Sequence, residues 1–179
     1  LTKLFETQAK LDEHILQEHP ELQGQNNLDW KLLALQVELG ECANEWRGFK
    51  KWSKDQEPRT KVPVTAWGEP YKNPLLEEYV DCLHFILSIG LEIGDTNFDV
   101  HSRNEYVKSD FGNRKMDITE QFISLNWLVG CILENKIHYE QTLFELINLG
   151  EMLGFTWEQV EESYYEKNKI NHLRQENGY

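Results

Sequence analysis

Basic residues are scarce in this chain. Lys and Arg number 18 against 31 Asp and Glu in 179 residues, a formal net charge of −13. Nothing forms a basic footprint, so nucleic acid is not an expected partner. An anionic ligand would need metal ions and local cationic groups to enter. Long apolar runs are missing as well. The longest is too short and too interrupted to span a membrane, and no signal peptide is visible. Cysteine is limited to Cys42, Cys82 and Cys131, widely spaced, with no CxxC and each in an apolar helical context. Free core thiols in a reducing cytoplasm fit that usage. Internal repeats and low-complexity tracts are absent, and so is alternating strand patterning, except over 61–66. Aromatic residues, in contrast, make up 12% of the chain and include six Trp, which excludes disorder. The length suits one domain, 1–179, with a real core.

The chain reads as helices with three long interruptions. Leu4, Phe5, Gln8, Leu11, Ile15 and Leu16 recur at helical spacing over 3–18, ahead of Pro20. Asp29 is the expected cap of a helix over about 30–52. Asn73 and Pro74 open another over 74–93. Asp117 or Thr119 starts a fourth, to about 135. A fifth covers 139–153 and closes at Gly154, and Thr156 caps the last, which runs to about 175. The expected fold class is all-α, a helical bundle of about six helices. Bundle links are usually short, so the segments 20–28, 53–72 and 94–116 stand out, the last as a probable insertion.

Two carboxylate pairs carry the chemistry. Glu38 and Glu41 stand at i, i+3, and so do Glu78 and Asp81. Each pair occupies one helix face, one turn apart. Packing the two faces together places four carboxylates around one point, which is unfavourable unless a cation sits among them. Hard oxygen ligands favour Mg²⁺, with Mn²⁺ a substitute, and such ions usually serve a phosphate substrate. Spacing alone is weak in so acidic a chain, since most such pairs are solvated faces. The neighbours decide. After Asp81 the helix is apolar on nearly all sides, so Asp81 is buried and needs a partner. Glu38, Glu41 and Glu45 form a narrow stripe flanked by Trp30, Leu33 and Val37 on one side and by Leu35, Leu39, Cys42 and Trp46 on the other.

A basic stripe lies near the C-terminus. Lys167, Asn171 and Arg174 fall at i, i+4, i+7, the best local place for phosphate oxygens, with a solvated terminal helix as the plainer alternative. A di-metal carboxylate oxidase would need Glu-x-x-His twice, and only Asp81-x-x-His84 approaches it, once.

Leu4-Phe5-Glu6-Thr7-Gln8 with Leu11-Asp12, Glu38-Leu39-Gly40-Glu41 followed by Lys51-Trp52, Glu77 through Phe85, and Lys167 through Tyr179 together resemble the dimeric all-α dUTPases. These belong to the all-α NTP pyrophosphatases that include the MazG-like enzymes. The resemblance covers almost the whole chain, and length and spacing look most like phage enzymes of Gram-positive hosts. It implies Mg²⁺-dependent hydrolysis of dUTP to dUMP and pyrophosphate in a homodimer, with metal on Glu38, Glu41, Glu78 and Asp81 and with Glu38 as the base ahead of Glu41. It also implies phosphate contacts from Lys167, Asn171, Arg174 and Tyr179, and base or sugar contacts from Gln8, Trp52, His84 and Asn168. Gln8 can offer both a donor and an acceptor to the uracil edge. Trp52 either stacks near the base or packs, and His84 either meets the sugar or is a satisfied core histidine. Phage dUTPases of this kind also bind repressor proteins, for which 94–116 is the expected place. The alternative substrate is another nucleotide, dCTP-like or damaged. Family members usually continue past the position of Tyr179 with a short glycine-containing tail, and the gap between the acidic pairs is longer here than in MazG-like relatives.

Overall fold

The computed structural model describes residues 1–65, 68–97, 106 and 115–178. Among them are six α-helices: α1 Thr2–Glu18, α2 Leu28–Trp46, α3 Pro74–Ile93, α4 Ile118–Glu134, α5 His138–Met152 and α6 Trp157–Glu176. A short 3-10 turn, Pro20–Leu22, follows α1, and two strands, β1 Val62–Thr65 and β2 Gly68–Lys72, lie between α2 and α3. The all-α expectation holds.

Local chemistry sets most boundaries. Asn73 accepts from the Leu76 amide, Pro74 takes the first helical position, and Gly94 closes α3 at φ 75°. Of the two candidates for opening α4, Asp117 does so, through a reciprocal capping box with Glu120; Thr156 and Gln159 form a second box at α6. Asp29 does not cap α2. The helix starts two residues earlier than expected, at Leu28, whose amide donates to Asn26 Oδ1, and Asp29 sits in the first turn. The far end differs more. The expected helix to 52 stops at Trp46, because Arg47 turns left-handed at φ 65°. Its guanidinium holds that turn by reaching Asp55, at 2.9 Å from the carbonyl and 3.0 Å from the carboxylate. Gly48 then passes so close to the Trp46 ring that a Cβ would lie 2.3 Å from it.

The strand expected over 61–66 is present as β1, and β2 was not expected, since Gly-Glu-Pro-Tyr-Lys has little strand character. The pair is antiparallel, with Val62 opposite Lys72 and Pro63 opposite Tyr71. Its base is pinned by Arg59, whose amide donates to the Glu45 carbonyl and whose carbonyl accepts from Leu75.

Helix α3 is the axis of the bundle. It packs against α1, α2, α5 and α6, while α4 covers α2 and α5. Val80, Cys82, Leu83, Ile86, Leu87 and Ile89 are fully enclosed, which explains the near-absence of polar residues after Asp81. Cys42 and Cys82 are buried free thiols, as expected, whereas Cys131 is only half-buried. His14 and His172 tie α1 to α6, their Nδ1 atoms 2.8 Å apart and their rings stacked. Most of the expected insertion, 98–105 and 107–114, lies outside the described residues, as does Tyr179. Tyr106, inside that stretch, packs its ring 5.3 Å from Phe144 and donates to the buried carboxylate of Glu145, which also accepts from Gln121. Tyr106 is therefore attached to α5 by a core contact.

Candidate active site

Helices α2 and α3 lie side by side and bring the two acidic faces together. Oxygens of Glu38, Glu41 and Glu78 fall within 4.8 Å of one another. The fourth carboxylate, Asp81, turns one oxygen to Lys167 of α6, whose Nζ lies 2.5 Å from Oδ2. The basic stripe thus meets the acidic cluster directly, and Lys167 acts as its counter-ion. Burial pushes the carboxyls of Glu38 and Glu78 up to about 7, and repulsion from Asp81 and Glu41 adds to it; Lys167 opposes the shift in both. Asp81 is raised by burial too, against the pull of Lys167 and Arg174. A set of hard oxygen donors with protons held this high suits a divalent cation, which would relieve the repulsion.

This electrostatics has a measurable consequence for the metal-free protein. The carboxyls of Glu38 and Glu78 have an ordinary value of 4.5 and rise to about 7 in the fold. Between those values the folded chain holds more protons than the unfolded one, so stability falls as pH rises through the window. Both groups are about half exposed, so solvent screening limits the total to about 1–2 kcal/mol. Thermal unfolding in EDTA should show the midpoint falling from pH 5 to pH 8, and Mg²⁺ should flatten that slope. A midpoint that rises across this range would contradict the cluster's geometry.

Next to the carboxylates is a cavity of about 380 Å³ between α1, α2, α3 and α6. Its lining includes Gln8 and Asp12 from α1, Glu38 from α2, Asp81, His84 and Ser88 from α3, and Asn171 and Arg174 from α6. Its size and mixed lining are those of a small-molecule site. Gln8 is buried, as the amphipathic face of α1 required, but its carbonyl oxygen is already engaged: Tyr164 OH donates to Oε1 at 2.8 Å, and His84 Nδ1 lies 2.8 Å from the same atom. The Gln8 amide nitrogen in turn donates to Asp12 Oδ1 at 2.7 Å, so both ends of the Gln8 side chain, expected to meet the uracil edge, have partners within the chain. His84 is buried and its ring is held neutral, with the proton affinity brought down to about 3 by burial and by the charge of Lys167. A backbone hydrogen bond with Tyr164 opposes that fall, and Nε2 is buried without a side-chain partner among the described residues. Asn168 is likewise buried with its Nδ2 unpartnered. Arg174 lies 3.4 Å from Asn171 through Nη1 and Oδ1, so two of the three stripe residues reach the cavity wall together.

Trp52 does not join them. It is 78% exposed, packs edge-on against Phe49 and is not among the residues lining the cavity. The early end of α2 carries it off the helix face on which it was expected. Asp12 was quoted in the sequence only beside Gln8 and given no role, and two further residues of the site, Ser88 and Tyr164, were not singled out. Each stands four positions from a residue that was, namely Gln8, His84 and Asn168, and a search one turn along each helix would have found them.

The family model described as dUTPase matches residues 1–179. No curated protein matches the chain.

Proposed function

We propose, for a chain that belongs to the dUTPase family and is a dUTP diphosphatase, that hydrolysis depends on Mg²⁺ held by Glu38, Glu41, Glu78 and Asp81, with Glu38 accepting the proton of the attacking water. What supports this reading is the convergence of three carboxylates within 4.8 Å beside a lysine and a nucleoside-sized cavity. When bound, the ion supplies charge neutralisation for the triphosphate and makes a nearby water easier to deprotonate. Among the three clustered glutamates Glu38 borders the cavity, so its carboxylate is the one placed to meet a water facing the substrate. The water oxygen bonds to the α-phosphorus, the bond from that phosphorus to the bridging oxygen breaks, and pyrophosphate leaves with dUMP as the other product. Lys167 and Arg174 hold the departing phosphates, and Asn171 supports Arg174. Removing dUTP keeps uracil out of DNA and supplies dUMP.

Pyrophosphate release from dUTP, dCTP, dTTP and UTP tests the reading. Turnover of dUTP well above the other three is expected; equal or faster turnover of dCTP would overturn it in favour of a different nucleotide.

The protein works as a homodimer in this reading. Leu33 and Val37 on α2, with Ile123 and Trp127 on α4, are each at least half exposed. The two helices pack side by side, joined by Gln36 donating to the Asn126 carbonyl. An apolar face shared by neighbouring helices is what a second copy would cover. Light scattering should return twice the 21.2 kDa of one chain, and a monomer mass would remove this part.

A further inference from the structure

Glu45 completes the acidic stripe on α2 but stays out of the cluster formed by Glu38, Glu41 and Glu78. It stands one turn beyond Glu41, and only 18% of its side chain is exposed. Oε1 meets Arg59 Nη1 at 3.3 Å, and Oε2 is enclosed with no partner among the described residues. The charge of Glu45 is nevertheless felt at Glu78. A carboxylate so placed would be drawn to the same cation as its neighbours. Arg59 stands in the way. Its main chain bridges the two helices that carry the acidic pairs. The amide donates to the Glu45 carbonyl at 3.0 Å, and the carbonyl accepts from the Leu75 amide at 3.1 Å. These are orphan groups at the end of α2 and the start of α3, so one residue serves both helix ends. Leu75 stands one turn before Glu78, as Glu45 stands one turn after Glu41, and the bridge is thus anchored beside both pairs. An exposed ion pair is worth little by itself, and the Arg59 side chain is about half exposed. Here the arginine backbone is fixed at two points and the acceptor is mostly enclosed, so less freedom is lost on pairing. Lys167 neutralises Asp81, and Arg59 does the same for Glu45.

We propose that Arg59 is a positioning residue for the divalent cation: by pairing with Glu45 it withholds a further carboxylate from the ion and sets the charge that the ion meets. This rests on the reading that Glu38, Glu41, Glu78 and Asp81 hold the cation. Released from Arg59, Glu45 adds one negative charge and two hard oxygens, so a cation binds more tightly. Tighter binding is not better placement. Glu45 does not line the cavity, whereas Glu38 and Asp81 do, so an ion shared with Glu45 is drawn away from the place of the substrate. A group that touches neither ion nor substrate can still orient the ligands and tune their affinity, and Arg59 does so through charge. A brace without an electrostatic role has the opposite signature: its loss loosens α2 against α3 and weakens the ion.

Binding of Mn²⁺ to the substrate-free protein, followed by EPR of the free ion at pH 8, tests this by sign. Arg59→Gln should bind Mn²⁺ ~3- to 10-fold more tightly than the wild type, the scale of one unit charge acting at close range near a protein surface. Glu45→Gln leaves the guanidinium unopposed beside the cluster and should weaken binding by a similar factor. Combining the two substitutions restores the local charge and should bring the affinity back to within about 2-fold of the wild type. Arg59→Lys keeps the charge and should stay close to the wild type. The freed carboxylate in Arg59→Gln should also displace a water from the bound Mn²⁺, read from line broadening in H₂¹⁷O, and the double variant should regain it. Weaker binding in Arg59→Gln, or no change in either single variant, overturns the proposal. An unchanged water count in Arg59→Gln overturns the exclusion of Glu45 from the ion. Should Arg59→Gln fail to fold, Glu45→Gln decides alone, and unchanged or tighter binding in it overturns the proposal. A wild type that binds no Mn²⁺ strikes the metal reading itself; a wild type that binds it, with unresponsive variants, strikes only the role of Arg59.

Discussion

Glu38→Gln should lower turnover by at least ~100-fold while the fold remains intact, the usual scale for losing a positioned proton acceptor. The substitution keeps the size and the hydrogen-bonding reach of the side chain and removes only the ability to take a proton. Its position favours it over its neighbours. Glu38 borders the cavity, is half-buried, and carries a carboxyl raised to about 7 by burial and by Asp81, Glu41 and Glu78. Glu41 is exposed and does not line the cavity. Removing one negative charge from a repelling cluster should also leave the metal-free variant at least as stable as the wild type. The check is steady-state hydrolysis of dUTP at saturating Mg²⁺, with Glu41→Gln alongside. Near-wild-type turnover in Glu38→Gln, with collapse in Glu41→Gln, would transfer the role of base to Glu41. Chelation should abolish activity in every variant, and full turnover in EDTA would sink a metal-dependent mechanism.

Arg174→Lys should cost ~5- to 150-fold in kcat/KM, corresponding to about 1–3 kcal/mol of lost transition-state stabilisation. Arg174 lines the cavity beside Asn171, and its charge reaches Asp81, so it stands over the place where the phosphate chain would meet the carboxylates. A guanidinium presents a planar fork to two phosphate oxygens, whereas an ammonium presents a point charge. Lys169 provides the internal comparison. It is on the same helix, two residues from Lys167, but is exposed and belongs to another face. Lys169→Ala removes a cation whereas Arg174→Lys removes none, so general electrostatic steering would harm Lys169→Ala more, and a specific guanidinium contact would harm Arg174→Lys more. Hydrolysis measured at fixed salt and excess Mg²⁺ separates the two cases. Equal and small effects would reduce the stripe to a solvated helix face.

Helix positions and the residues that cluster were legible in the sequence because both depend on short-range periodicity. An i, i+3 carboxylate pair shares a face in any helix, and an apolar run after Asp81 means burial in any globular fold. For the same reason Asn73, Asp117 and Thr156 announced their helices: a cap acts within three residues. Arg47 was different. Nothing local marks an arginine for a left-handed turn, and it takes one because Asp55, eight residues away, holds its guanidinium. That single contact ends α2 early and removes Trp52 from the site. The chemistry of His84 was beyond local reading in a stronger sense. Its Nδ1 meets Gln8, 76 positions away, and Gln8 in turn meets Asp12 and Tyr164, the latter 156 positions from Gln8 along the chain. Residue types and spacing therefore determined that carboxylates, a lysine and an arginine would converge. Only the packing of α1, α3 and α6 decided which of the buried polar atoms are already satisfied and which still face a ligand, because a hydrogen bond depends on where atoms meet and not on where residues stand in the chain.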